Sequence, residues 1–385
     1  MLEKIFQTGK EILDSLRFKA EYKAFSVLRE IKSLEKVKQE KVGKNKNMKI
    51  CFLLPGIYPF RGGTTSILRL GTYLEEFGHS VYYATYTSQS EREMEKNAKT
   101  NLPYVKGNFL NIKSLKKQKF DIGVATYWVS VYYLARFESL FKAKVYFIQD
   151  FEPAFYPEGD LHYFALNSYK LGLHLITLGE WNKHKIANST GEEKIRSVDF
   201  PFEIKQYSIV ERDIEIKDRL NIALYVKTVP KRGALLLFNG LEILKEKLEK
   251  RGIKTEIMVF GLDRFAKPPI GKNMGRLTAD QLRKLYSRCH IGMVASFTNI
   301  SLVPYEMIAS GLPVFEAKDG SAPFFFKENE MVFFNSYPSD IAEKVSHYTQ
   351  NPEKLNKTLK NAQKAIKDKT WEKTAKQFEK IIVSL

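Results

Sequence analysis

Cysteine is nearly absent: Cys51 and Cys289 are the only two in 385 residues. Both lie inside apolar segments, so a disulfide framework is excluded and a reducing compartment is expected. Long apolar runs are missing too. None approaches the ~20 residues that a membrane-crossing helix needs, and the apolar residues near the N-terminus are spaced rather than contiguous, unlike a signal-peptide core. A cytoplasmic protein is expected. Histidine is scarce, with six scattered copies, and His79 reads as structural. No H-E-x-x-H, C-x-x-C or G-x-S-x-G pattern occurs, which removes the usual zinc and serine-hydrolase chemistries. Acidic residues are in deficit, 44 against 62 basic ones, leaving a net charge of +18. That surplus suits nucleic acid, an anionic leaflet or phosphate-bearing substrates, and also arises in a soluble lysine-rich protein.

What is present divides the chain in three. Residues 1–47 carry apolar residues at helical spacing (Leu2, Ile5, Phe6, Ile12, Leu13, Leu16, then Phe25, Leu28, Ile31, Leu34) opposite basic ones such as Lys4, Lys10, Arg17 and Lys38. This predicts a basic amphipathic helical extension, packed on the protein body or held peripherally at the inner face of an anionic membrane. Residues 48–210 alternate strand and helix: strands over 48–55, 79–86, 121–127, 144–149 and 174–178, a glycine turn at Gly62-Gly63-Thr64-Thr65, and a helix over 66–77. The charged stretch 203–220 marks a junction, after which the rhythm restarts over 211–385 and ends in two lysine-rich closing helices. The fold class expected is α/β, with two doubly wound Rossmann-like domains facing across a cleft.

The most informative run is Ser296 to Phe315. Ile291–Ala295 is a strand, Pro304 suits the first turn of a helix, and Gly311 with Pro313 stops it. This leaves Glu306 in the first turn of a helix whose N–H groups point at the carboxyl edge of a sheet, where open α/β sheets bind ligands. Free N–H groups suit a phosphate, and a carboxylate suits a ribose diol. Lys227 lies at the end of the second domain's first strand, and Arg232 precedes Gly233 at the next helix. Two such cations can clamp a diphosphate and stabilise a leaving nucleotide. Gly62 and Gly63 allow close backbone approach to a phosphate or sugar. Gln149, Asp150 and Glu152 end a first-domain strand. Asp150 is there either a reacting-site carboxylate or a helix cap, and Gln149 and Glu152 are placed on the sugar or acceptor side. No third carboxylate or histidine groups with Asp150 and Glu152, so no metal is expected. Lys227, Arg232 and Asp150 are the catalytic candidates. Gly62, Gly63, Thr64, Lys231, Gly275, Ser296, Thr298, Asn299, Ser301, Leu302, Val303 and Glu306 are the expected donor-site residues.

These motifs resemble the GT-B glycosyltransferases of family 4. The resemblance rests on Gly-Gly-Thr-Thr before a helix ending Phe-Gly-His, the Lys227 and Arg232-Gly233 pair, the segment from Asn273 to Cys289, and Pro-Tyr-Glu-Met-Ile-Ala-Ser-Gly-Leu-Pro-Val. The run Val145 to Gly159, with Gln-Asp-Phe-Glu-Pro-Ala-Phe-Tyr at its centre, resembles the WsaF-type rhamnosyltransferases that build bacterial surface glycans. The match covers roughly residues 48–330. It implies that Lys227 stands where the family has an arginine on the diphosphate, and Arg232 where it has a lysine. Both swaps keep charge and change geometry. Glu306 takes the ribose-binding place, while Thr298 stands where the usual E-x7-E pair has its first glutamate.

The expectation is a retaining glycosyltransferase, independent of metal and without a cofactor. It would move L-rhamnose from dTDP-L-rhamnose to a surface glycan or its lipid-linked precursor. A UDP- or GDP-sugar donor is the alternative within enzymes. A non-catalytic basic protein on nucleic acid or an anionic membrane is the alternative outside them. The basic residues are spread over helices rather than interleaved with aromatics on one sheet face, which argues against nucleic acid.

Overall fold

The computed structural model describes residues 15, 22, 25–30, 36–43, 47–202 and 207–385. Most of the expected N-terminal extension, including Leu2, Lys4, Lys10 and Arg17, lies outside the described residues. Residues 36–43, expected to extend its basic helical face through Lys38, are not helical. They run along the first domain, with Val37 N–H donating to Leu171 O (3.0 Å) and Gln39 Nε2 to Gly172 O (2.9 Å).

The first domain contains β1 (Lys49–Leu54), β2 (Ser80–Thr85), β3 (Asn108–Leu110), β4 (Phe120–Ala125), β5 (Phe141–Ile148), β6 (His174–Leu178) and β7 (Ile195–Val198). They form an all-parallel sheet in the order β3-β2-β1-β4-β5-β6-β7. The second domain contains β8 (Arg219–Tyr225), β9 (Lys254–Phe260), β10 (Lys272–Gly275), β11 (Ile291–Met293), β12 (Val314–Ala317) and β13 (Val332–Phe334). These are also all parallel, in the order β10-β9-β8-β11-β12-β13. Runs such as Lys-Ile-Cys-Phe-Leu-Leu in β1, buried after the first residue, are what a parallel sheet covered on both faces requires. The expected α/β class with two doubly wound sheets is what forms.

Strand order reverses beside β1 and β4 in the first sheet, and beside β8 and β11 in the second. Ligand crevices of doubly wound sheets open at such switch points, beyond the carboxyl ends of the strands. The Gly62 loop follows β1, Lys227 follows β8 and Ser296 follows β11, so the informative motifs converge on these two edges.

Two expectations need correction. Gly62 and Gly63 are not a turn before a helix at Ser66; they are the first residues of helix Gly62–Glu76. The last helix, Trp371–Val383, was expected to close the second domain, yet it packs on the first. Phe378 meets Phe147 edge-to-face (5.4 Å), and Glu379 pairs with His79 (3.1 Å). One apolar core accordingly runs through both domains, continued by Phe200 stacked on Tyr305 (5.3 Å).

Candidate functional site

The two edges meet at Asp150. Its Oδ2 accepts hydrogen bonds from Lys231 Nζ (2.8 Å) and Thr298 Oγ1 (3.0 Å). Its Oδ1 accepts the backbone N–H groups of Asn299 and Phe151 (both 2.9 Å). Asn299, 2 % exposed, adds Nδ2 bonds to Gln149 O (2.7 Å) and Leu178 O (3.0 Å). Lys231 Nζ also sits 3.5 Å above the Phe155 ring. The turn after β5 is thus tied to the turn after β11 by a carboxylate with every lone pair engaged. This corrects four expectations. Asp150 is not a free reacting-site carboxylate or a simple cap, and Lys231, Thr298 and Asn299 turn their polar atoms to this brace rather than to a donor.

Glu152 is corrected as well. It does not reach the acceptor side, because it lies at 3 % exposure inside the first domain. Its Oε2 accepts from Tyr146 OH (2.7 Å) and from the Trp128 N–H at the start of helix Trp128–Arg136. Burial pushes its pKa up from 4.5 to about 8, against the lowering effect of those two donors. A carboxyl raised in this way binds its proton more tightly in the native state, so its contribution is complete below pH 4.5 and is lost as pH rises towards about 8. Glu152→Gln keeps an oxygen for both donors and removes the ionisation. Its melting temperature should therefore fall less steeply between about pH 5 and 8 than that of the wild type; an identical slope would show that Glu152 does not titrate in this window.

The anion-binding character lies one step away, at the exposed Lys227. Desolvation by its surroundings lowers the Lys227 pKa, and the charges of Arg232, Arg61 and Arg276 lower it further. Lys227 thus lies in the field of three further cations: Arg61 from the first domain, just ahead of Gly62, and Arg232 and Arg276 from the second, of which Arg276 is itself ion-paired with Asp263 (3.0 Å). Arg61 and Arg276 were not singled out in the sequence, although Arg61 directly precedes the glycine turn marked at Gly62 and Arg276 directly follows Gly275, an expected donor-site residue. Arg232, 8 % exposed, is aimed by Ser296: Nη1 donates to Ser296 Oγ (2.7 Å), and Ser296 donates from N and Oγ to the buried Glu316 (2.7 and 3.1 Å). Glu316 was also missed. Burial raises its pKa to about 7, while the Ala317 and Ser296 donors and the Arg232 charge hold it down. Gly320 locks this corner, because a Cβ there would sit 1.7 Å from the Ser296 carbonyl oxygen.

Beside the cations, helix Val303–Ala309 starts at Leu302 with no side-chain cap, with Pro304 in its first turn as expected. Ser301 Oγ is buried with no hydrogen-bond partner. Glu306 is half-buried. Burial lifts its pKa to about 7, opposed by the Arg69 charge and a hydrogen bond from Tyr207. Its charge also bears on the phenols of Tyr225 and Tyr286. Gly63 faces the Gln149 amide, which a Cβ would approach to 3.7 Å, while Gly62 opens on empty space. Thr64 lies in the same uncapped first turn, and Gly275 ends β10 with φ +77°. Among the described residues no group of three or more His, Cys, Asp or Glu is placed to hold a metal ion. No described helix is long and apolar enough to cross a membrane.

Residues 242–380 match the family described as glycosyl transferase-like. A Myxococcus xanthus O-antigen biosynthesis protein, RfbC, is 23% identical over 260 residues, which is 66% of this chain and 20% of that protein. The chain spans about a fifth of the length of this curated relative. The Anabaena protein Alr3699/HepE, solved with UDP, superposes with a TM-score of 0.70 at 14% identity, over 88% of this chain and 100% of that one. A glycosyltransferase from Rickettsia africae does so at 0.65 with 14% identity, over 88% and 98%. The fold is GT-B, and within the second domain residues 242–380 are similar to the glycosyl transferase-like family.

Proposed function

We propose that this protein is a retaining glycosyltransferase of surface-glycan synthesis, with a nucleoside diphosphate sugar as donor and dTDP-L-rhamnose as the donor of choice. The observation that carries the reading is the placement of Arg61 after β1, of Lys227 and Arg232 after β8 and of Arg276 after β10, which sets four basic residues on the carboxyl edges of the two sheets, three of them acting on the charge of Lys227. A diphosphate seated there is neutralised by fixed charges rather than by a metal ion, and departs as a stabilised anion. Glu306 would take the ribose diol, and the uncapped turn at Ser301, Leu302 and Val303 the phosphate oxygens.

In the reaction the bond between the anomeric carbon and the diphosphate oxygen breaks, and the acceptor oxygen bonds to the same face. The acceptor's proton passes to the departing diphosphate. Asp150, the expected catalytic carboxylate, and Glu152, expected on the sugar or acceptor side, are engaged in the brace and in the core, which leaves the leaving group as the base. The donor choice rests on the resemblance of the Gln149–Tyr156 run to rhamnosyltransferases, and the glycan class is supported by the O-antigen relative.

Thermal shift with dTDP, UDP and GDP tests this reading. Selective stabilisation by dTDP, lost in Glu306→Ala and Lys227→Ala, is the expected result. Preference for UDP or GDP would replace rhamnose as the donor sugar, and no response to any of the three would overturn the reading.

A further inference from the structure

One hydroxyl stands between Arg232 and the buried carboxylate behind it. Ser296 and Glu316 are both fully buried, and Arg232 reaches Glu316 through Ser296 Oγ. The direction of each hydrogen bond in this relay follows from what the partners can do. A guanidinium only donates, so Ser296 Oγ accepts from Arg232 Nη1 (2.7 Å). The single serine proton then goes to Glu316 Oε2 (3.1 Å). Glu316 Oε1 is filled by the N–H groups of Ser296 (2.7 Å) and Ala317 (3.0 Å). An ionised Glu316, which only accepts, completes the relay in one direction.

A proton on Glu316 breaks that order. Both lone pairs of Oε1 are engaged, so the proton goes to Oε2, facing Ser296 Oγ. The bond between them must reverse, and the serine hydrogen loses its acceptor in a fully buried place. The negative charge behind the hydroxyl disappears at the same time, so a charge-assisted relay becomes a neutral one. A direct pair of Arg232 with Glu316 would hold the guanidinium as well but would cancel its charge. The interposed hydroxyl transmits the orientation and keeps the two charges apart.

Arg232 is the charge that acts on Glu316. The flanking strands β11 and β13 carry no titratable residue. The titratable neighbours on the other surrounding segments have partners of their own. Glu306, on helix Val303–Ala309, is hydrogen-bonded to Tyr207, and Lys231 is turned to Asp150. After β12, Lys318 pairs with Glu328 (3.1 Å) and Asp319 accepts from Ser336.

We infer that Glu316 is a positioning residue of the transfer reaction: ionised, it keeps the Ser296 lone pair on Arg232 and the guanidinium on the diphosphate, and protonation of Glu316 loosens that grip. The inference rests on the glycosyltransferase reading. Burial brings this protonation to neutral pH by raising the carboxyl to about 7. The grip on a diphosphate is therefore strongest above that pH and weakens as pH falls through it.

Isothermal titration with UDP-glucose and dTDP-glucose between pH 6 and 8 tests this. Their diphosphates are esterified at both ends and keep a constant charge over this range. The sugar nucleotide that binds should bind about tenfold more weakly at pH 6 than at pH 8, since roughly one Glu316 in ten is ionised at pH 6. Glu316→Gln keeps an acceptor for the two N–H groups and presents an amide N–H to Ser296, as the protonated acid does. It should bind across the whole range with the weak affinity of the wild type at pH 6. Ser296→Ala cuts the relay and should remove the acid-side weakening too, and it carries the test should Glu316→Gln not fold. Uridine or thymidine should bind both variants as it binds the wild type. Lys227 titrates in the opposite sense, weakening binding as pH rises, and is common to all three proteins. If the wild type binds neither sugar nucleotide, the glycosyltransferase reading fails. If it binds with an affinity that does not weaken towards pH 6, or if both variants keep the wild-type pH slope with only a lowered melting temperature, Glu316 is structural and the inference alone fails.

Discussion

Arg232→Ala should lower kcat for sugar transfer by roughly 10²–10³-fold, the range seen when one preorganised donor to a developing anion is removed. The size follows from how the side chain is held. Its guanidinium is nearly buried and fixed by Ser296 Oγ at 2.7 Å, with a longer contact to Asn299 O at 3.4 Å, so it needs little reorganisation when charge develops on a leaving diphosphate. Loss of the cation also removes the charge that helps keep Glu316 ionised, so the variant should carry a neutral Glu316 over more of the pH range. Arg232→Lys retains the charge without the planar fork and should recover only part of the rate. Steady-state turnover beside a circular-dichroism melt separates the chemistry from folding. A variant with wild-type kcat would remove Arg232 from the mechanism.

Asp150→Ala should destabilise the protein by about 2–4 kcal/mol, somewhat under the usual cost of breaking a fully buried ion pair because Lys231 keeps partial access to water. The side chains of Lys231 and Asp150 are 23 % and 13 % exposed. Four donors lose their acceptor at once: Lys231 Nζ, Thr298 Oγ1 and two backbone N–H groups. Two of the three interdomain ties made by Asp150 come from the turn after β11, so the relative placement of the sheets should loosen together with stability. Asp150→Asn keeps a carbonyl oxygen but not the charge, and should fall between. Denaturant unfolding reads the first effect and small-angle scattering the second. An unchanged midpoint in Asp150→Ala would show that the brace is not what couples the domains.

The motifs at the carboxyl edges of the strands were legible because their signals are local. Pro304, Gly311 and Pro313 punctuate a helix within ten residues of a strand, and Lys227 and Arg232 flank the turn after β8. The brace was not legible because its partners are remote: Asp150 and Asn299 are 149 positions apart, and no spacing rule relates them. Asp150 and Glu152 looked like one acidic pair. Only Phe151 lies between them, but the chain enters a short 3-10 turn at Glu152 (Glu152–Phe155), and one carboxylate crosses to the second domain while the other enters the core. Gly62 and Gly63 read as a turn because glycine is a poor helix interior residue, yet in the first turn the N–H groups have no intrahelical partner anyway, and the helix begins there. Strands of three or four residues, such as β3, β10 and β13, show no periodicity long enough to detect.

The central claim is that a diphosphate binds between Arg61 of one domain and Lys227, Arg232 and Arg276 of the other. Isothermal titration of dTDP and of thymidine into the wild type, Lys227→Ala and Arg61→Ala tests it most directly. The account predicts that dTDP binds the wild type far more tightly than thymidine does, and that each variant loses most of that difference while still binding thymidine as before. Equal affinity for dTDP and thymidine in the wild type, or a dTDP affinity untouched by both substitutions, would contradict it.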